Sequence, residues 1–126
     1  MASSSAFKII PSAFTRSEED RARSLEDPGF GKIFTDHMVT IDWNESSGWH
    51  DARVRAREAF SIDPASAVLH YAQEIFEGMK AYRRNDGSIT LFRPEENARR
   101  FNRSAMRMAM PEIPEALFIE AIERLL

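Results

Sequence analysis

At 126 residues and a net charge of -3, the chain allows one domain and offers no basic field for nucleic acid. Apolar residues make up 43%, an ordinary share for a globular domain, and no apolar run approaches the roughly 20 residues that cross a bilayer. Cysteine is absent, which removes disulfides, thiolate catalysis and cysteine-based zinc sites.

The opening Met1-Ala2-Ser3-Ser4-Ser5 lacks the basic start and apolar stretch of a signal peptide, so the expected location is the cytoplasm. Residues 1–29 read as a tail or arm, with a short strand at 7–10. Ser17-Glu18-Glu19-Asp20-Arg21-Ala22-Arg23 is charged and has few apolar neighbours to make a stripe. Asp27-Pro28-Gly29 then breaks the chain.

From Phe30 the character changes, and residues 30–126 are expected to form the folded domain. Met38-Val39-Thr40-Ile41-Asp42-Trp43 alternates and predicts a strand. Asn44-Glu45-Ser46-Ser47-Gly48 is a turn cluster, and residues 53–59 predict a second strand. Asp63-Pro64 marks a break. Ser66 is placed to cap a helix over 68–76, with Gly78 where that helix should stop. Residues 79–83 and 89–92 predict a hairpin around Asp86-Gly87.

Arg93-Pro94 opens a helix over 95–108 whose Ala98, Phe101, Ala105 and Met108 share one face. A last helix begins near Pro114, with Leu117, Phe118, Ala121, Ile122 and Leu125 inward. It reaches Leu125-Leu126 without a Gly, Asn or Pro stop, which leads to the expectation that the natural polypeptide continues. Antiparallel strands with helices packed on them make an α+β domain.

Most polar clusters have an ordinary reading. His37, His50 and His70 lie far apart without ligand spacing, so no metal site is expected. No glycine-rich phosphate loop appears. Arg53, Arg55 and Arg57 would line a solvated strand face. Arg100, Arg103 and Arg107 lie near one side of the helix with the apolar face. Spacing alone favours a solvated charged face for them. The functional alternative is an anion site, because guanidinium suits phosphate and carboxylate geometry. For Tyr71 and Phe76, spacing alone favours core packing.

Five motifs in order carry a family likeness. They are Phe30-Gly31-Lys32-Ile33-Phe34-Thr35-Asp36-His37-Met38, then Leu69-His70-Tyr71, then Phe76-Glu77-Gly78-Met79-Lys80-Ala81, then Leu91-Phe92-Arg93-Pro94, and last Asn97 and Arg100 with Arg103-Ser104-Ala105-Met106-Arg107. Together they resemble branched-chain amino acid aminotransferases, which are class IV, fold type IV pyridoxal-phosphate enzymes. The likeness covers Phe30 to Leu126 and is to the small N-terminal domain. Residues 1–29 carry none of it. Among related class IV enzymes, D-amino acid aminotransferases and aminodeoxychorismate lyases are alternatives. The Phe34–Met38 and Phe76–Ala81 stretches favour the branched-chain group.

The resemblance implies transfer of the amino group of leucine, isoleucine or valine to 2-oxoglutarate by a homodimer. It implies that Arg100 binds the cofactor phosphate. It implies that Phe30, Tyr71 and Phe76 line the pocket for the branched side chain, with Tyr71 entering from the partner subunit. The family's Schiff-base lysine lies in a C-terminal domain. Lys8, Lys32 and Lys80 are the only lysines here, and none matches it, so no catalytic residue is assigned and the chain alone is expected to be inactive. The alternative is a short domain of the same kind with a binding or interaction role.

Overall fold

A computed structural model describes residues 7–126. They form an α+β fold of small sheets and helices, divided into two compact units, the described residues up to Ala59 with Leu125 and Phe60–Arg124 with Leu126. Among the described residues no helix is long and apolar enough to cross a membrane.

The first unit is built on a hairpin. Strands β2 (His37–Asn44) and β3 (Gly48–Ala56) pair antiparallel, with Val39 opposite Val54 and Trp43 opposite Trp49. The Asn44 side chain makes the turn, its Oδ1 accepting from the Ser47 N–H at 2.8 Å. Gly48 leaves the turn at φ 64°, where a side chain would be strained. Strand β3 thus begins at the turn, five residues before the sequence predicts, and ends at Ala56 rather than Ala59. A bulge sets two residues of β3 against Ile41, with Asp51 at φ 51°. Ala52 and Val54 are buried, and Arg53 and Arg55 point the other way onto Asp51 and Glu58. The Arg57 guanidinium lies 4.2 Å from the Phe34 ring centroid.

The arm is fastened to this sheet. Strand β1 (Lys8–Ile9) runs parallel to β3, and the Ile10 N–H donates to the Val54 carbonyl at 2.8 Å. The Ser12 N–H donates to His37 Nε2 at 3.0 Å, and the Arg16 N–H to Asp36 Oδ2 at 2.9 Å. The charged run that the sequence leaves as tail is helix α1 (Glu18–Glu26), which buries none of its residues. It holds by local terms. Ser17 accepts from the Asp20 N–H at 3.1 Å, three acids occupy the first turn, and Arg23 pairs with Glu19 at 3.0 Å.

In the second unit, helix α2 (Ala67–Tyr71) stops short of the predicted span over 68–76. Ala72 turns left-handed at φ 49°, and Gln73 Nε2 reaches the Met108 carbonyl at 2.8 Å, which draws the chain away. Residues 73–80 then alternate in exposure. Gln73, Ile75, Glu77 and Met79 are half-buried, and Glu74, Phe76, Gly78 and Lys80 are exposed. Gly78 therefore ends no helix. The hairpin β4 (Ala81–Arg83) and β5 (Ile89–Leu91) pairs Tyr82 with Thr90, close to the sequence expectation. Asp86 Oδ1 accepts from the Ser88 N–H at 2.9 Å, and Gly87 sits at φ 84°.

Helix α3 (Pro94–Arg107) starts on a proline, whose missing N–H costs nothing in the first turn. Its predicted apolar face holds. Ala98 and Ala105 are fully buried, Phe101 and Met108 are half-buried, and Phe101 packs on Phe118 with ring centroids 5.3 Å apart. Helix α4 (Glu115–Leu125) half-buries Leu117, Phe118, Ala121 and Ile122, but Leu125 is exposed rather than inward.

The link between these helices is held by one side chain. Asn102 donates to the Ile113 carbonyl at 2.8 Å and accepts from the Ile113 N–H at 2.9 Å. Ile113 is buried, so Asn102→Ala leaves two backbone groups unpaired and should cost about 1–3 kcal/mol. A urea midpoint unchanged from the parent chain would contradict that.

Candidate anion site on helix α3

Helix α3 carries Asn97 and Arg100 within one turn, and the extended stretch 73–80 brings Glu77 against them. Arg100 Nε donates to Glu77 Oε2 at 2.8 Å, and Nη2 donates to Oε1, a side-on bidentate pair. Asn97 Nδ2 donates to Glu77 Oε1 and to the Gly78 carbonyl, each at 3.2 Å. The Gly78 N–H also donates to Glu77 Oε1, at 3.0 Å. The carboxylate is the enclosed member of the pair: its side chain is 5% exposed, against 61% for Arg100.

These donors dominate the electrostatics. The Arg100 hydrogen bonds are the largest influence on the Glu77 carboxyl; burial, second in size, opposes them, and the Gly78 and Asn97 bonds add to them, so the carboxyl is lowered to about 2. Glu77 in turn raises Arg100 above its ordinary value. Because the folded carboxyl lies below its unfolded value of 4.5, its contribution to stability is complete above about pH 4.5 and is lost as pH falls toward 2. Glu77→Gln should remove that part of the acid dependence. Denaturation midpoints at pH 6 and pH 3 should lie closer together in the variant than in the parent; equal gaps would contradict the assignment.

The other residues named by the sequence are placed as follows. Tyr71 and Phe76 are 82% and 85% exposed, so neither is the core residue its spacing suggests. Phe76 lines a groove with Glu74, Ile75, Ser104, Arg107 and Met108. Phe30, at 98% exposed, belongs to the first unit. Arg99, beside Arg100, is engaged on the surface with Glu96 at 2.7 Å and Glu115 at 3.5 Å. Among the described residues, no three His, Asp or Glu side chains are grouped to hold a metal ion.

The residue that sequence reasoning missed is Glu77. Its partners lie 20 and 23 positions away, so no local spacing exposes the pairing. No sequence signal marked it: residues 73–80 alternate in exposure only once folded, with polar Gln73 and Glu77 on the inner side and apolar Phe76 on the outer.

No protein-family model matches the chain. Curated relatives do. A probable branched-chain-amino-acid aminotransferase of Streptomyces coelicolor is 56% identical over 118 residues, covering 94% of this chain and 33% of its own length. A branched-chain-amino-acid aminotransferase of Mycobacterium tuberculosis is 49% identical over 120 residues, 95% of this chain and 33% of that protein. Branched-chain-amino-acid transaminase 1 of Bacillus subtilis is 48% identical over 97 residues, 77% of this chain and 27% of that protein. The chain spans about a third of the length of the first two relatives. These matches take in most of residues 1–29, where the motifs carry no likeness, so the expectation of none there is corrected. At this identity over nearly all of its residues, the chain belongs with the branched-chain-amino-acid aminotransferases, matching a part of their length.

Proposed function

We propose that this chain supplies the phosphate anchor and part of the substrate pocket of a branched-chain-amino-acid aminotransferase. The complete enzyme moves the amino group of leucine, isoleucine or valine to 2-oxoglutarate, with glutamate as the second product. In this reading residues 30–126 are the small domain, residues 1–29 are its arm, and the lysine that holds the cofactor belongs to a further domain. The reading includes a homodimer and a cytoplasmic location. Its main support is the 56% identity over 118 residues to a probable branched-chain-amino-acid aminotransferase.

The donor set fits pyridoxal phosphate. Arg100 keeps its charge at every working pH, projects an exposed guanidinium, and has Nη1 without a protein partner among the described residues. When bound, the cofactor supplies the electron sink for amino transfer. Arg100 binds and orients it through the phosphate. Phe30, Tyr71 and Phe76 expose rigid rings whose apolar area is available to a branched aliphatic side chain. The place of all three in the pocket, with Tyr71 entering from the partner subunit, rests on the resemblance.

The test is turnover. The 126-residue chain, given leucine, 2-oxoglutarate and excess pyridoxal phosphate, should form no glutamate above a blank. The complete aminotransferase should form it from each branched-chain amino acid. Steady turnover by the chain alone, or a complete enzyme that ignores all three amino acids, would overturn the reading.

A further inference from the structure

We propose that Glu77 is a positioning residue for Arg100, clamping one edge of its guanidinium so that the opposite edge is presented to the phosphate. The inference rests on the reading of Arg100 as the phosphate anchor and adds to it the group that aims that anchor.

The guanidinium of Arg100 carries five N–H donors in a rigid plane. Glu77 takes the Nε proton and one on Nη2, the two along one side of the fork. Both protons of Nη1 and the outward proton of Nη2 remain. One proton from each Nη forms the end-on edge, which suits a second bidentate partner. An arginine on an exposed helix face otherwise samples many rotamers, and an incoming anion must stop that motion. With its side edge fixed, Arg100 meets the anion already oriented.

Glu77 has the opposite possible role, as an internal anion that competes with phosphate and must leave. Geometry decides between the two. A carboxylate that gives way should be exposed, as Glu96 is at 47%. Glu77 is 5% exposed and keeps hydrogen bonds from the Gly78 N–H and Asn97 Nδ2 that do not depend on Arg100. Releasing it would strand those donors. Asn97 also binds the Gly78 carbonyl, so the frame joins α3 to the 73–80 stretch at two points. The frame therefore stays, and the free edge of Arg100 is the part left to bind.

The experiment compares pyridoxal phosphate with pyridoxal, which lacks the phosphate, on the cofactor-free complete aminotransferase. Dissociation constants are measured by fluorescence for the parent, Arg100→Ala, Glu77→Gln and Asn97→Ala, with thermal melts to confirm folding. Glu77→Gln should cut the preference for pyridoxal phosphate over pyridoxal by about tenfold, the usual scale for removing a group that orients a ligand-binding side chain. Affinity for pyridoxal itself should stay within about twofold, because the clamp acts through the phosphate alone. A general loss of structure would weaken both ligands together. Asn97→Ala leaves both charges in place and should lower the preference less, in the same direction; it carries the test if Glu77→Gln does not fold. If Arg100→Ala lowers the preference while Glu77→Gln leaves it unchanged or raises it, the clamp is wrong and the phosphate anchor stands. If Arg100→Ala leaves the preference unchanged, the anchor itself is wrong and the clamp falls with it.

Discussion

Arg100→Ala in the complete aminotransferase is expected to strip the cofactor on dialysis, while Arg99→Ala retains it. The two arginines are neighbours on α3 and nearly equal in charge environment by sequence, yet they do different things. Arg99 spends its guanidinium on Glu96 and Glu115 at the surface. Arg100 gives one edge to Glu77 and keeps the other. Two charge-assisted bonds to phosphate contribute about 1.5–3 kcal/mol each, so their loss should weaken cofactor binding by a factor of about a hundred or more. Arg100→Lys keeps the charge but not the fork, and should fall between the parent and the alanine variant. Cofactor absorbance after dialysis reads all four proteins. Equal losses in the Arg99 and Arg100 variants would mean that the register of the motif is wrong.

Ala105→Asp should abolish the folded state of the second unit, and Met106→Asp should not. Ala105 is fully buried on the inner face of α3, whereas Met106, one position on, is 65% exposed. A carboxylate placed at 105 would share a face with Ala98, Phe101 and Met108, and burying it unpaired costs several kcal/mol unless it takes up a proton. That is comparable with the whole stability of a domain this size. At 106 the same group faces water and should change stability by about 0.5 kcal/mol or less. The helical circular dichroism signal and its thermal transition report both. A cooperative transition in Ala105→Asp at the parent temperature would contradict the packing described for α3.

What the sequence showed of this fold was set by how local the determining interactions are. The hairpin at Asp86-Gly87, the proline start of α3 and the face Ala98, Phe101, Ala105 and Met108 all depend on residues within one or two turns, and all were legible. Helix α1 was missed because its apolar stripe is absent. The serine cap and acidic first turn were present and were the better guide. Helix α2 was drawn too long because Gln73 bonds to Met108, 35 residues away, a contact that no window around it contains. The same limit hid Glu77. The resemblance pointed to Arg100 through its motif, but the carboxylate that fixes the guanidinium lies on another segment and appears only when the chain is folded. Tyr71 and Phe76 show the converse. Their spacing suggested a core, and their exposure leaves the rings available for a ligand.

If the free edge of Arg100 is the phosphate site, a crystal structure of the complete aminotransferase with pyridoxal phosphate will show it occupied. Phosphate oxygens should lie about 2.8 Å from Nη1 and Nη2 of Arg100, with the Nε proton still on Glu77. A phosphate bound elsewhere, with Arg100 facing only Glu77 and water, would rule out Arg100 as the anchor.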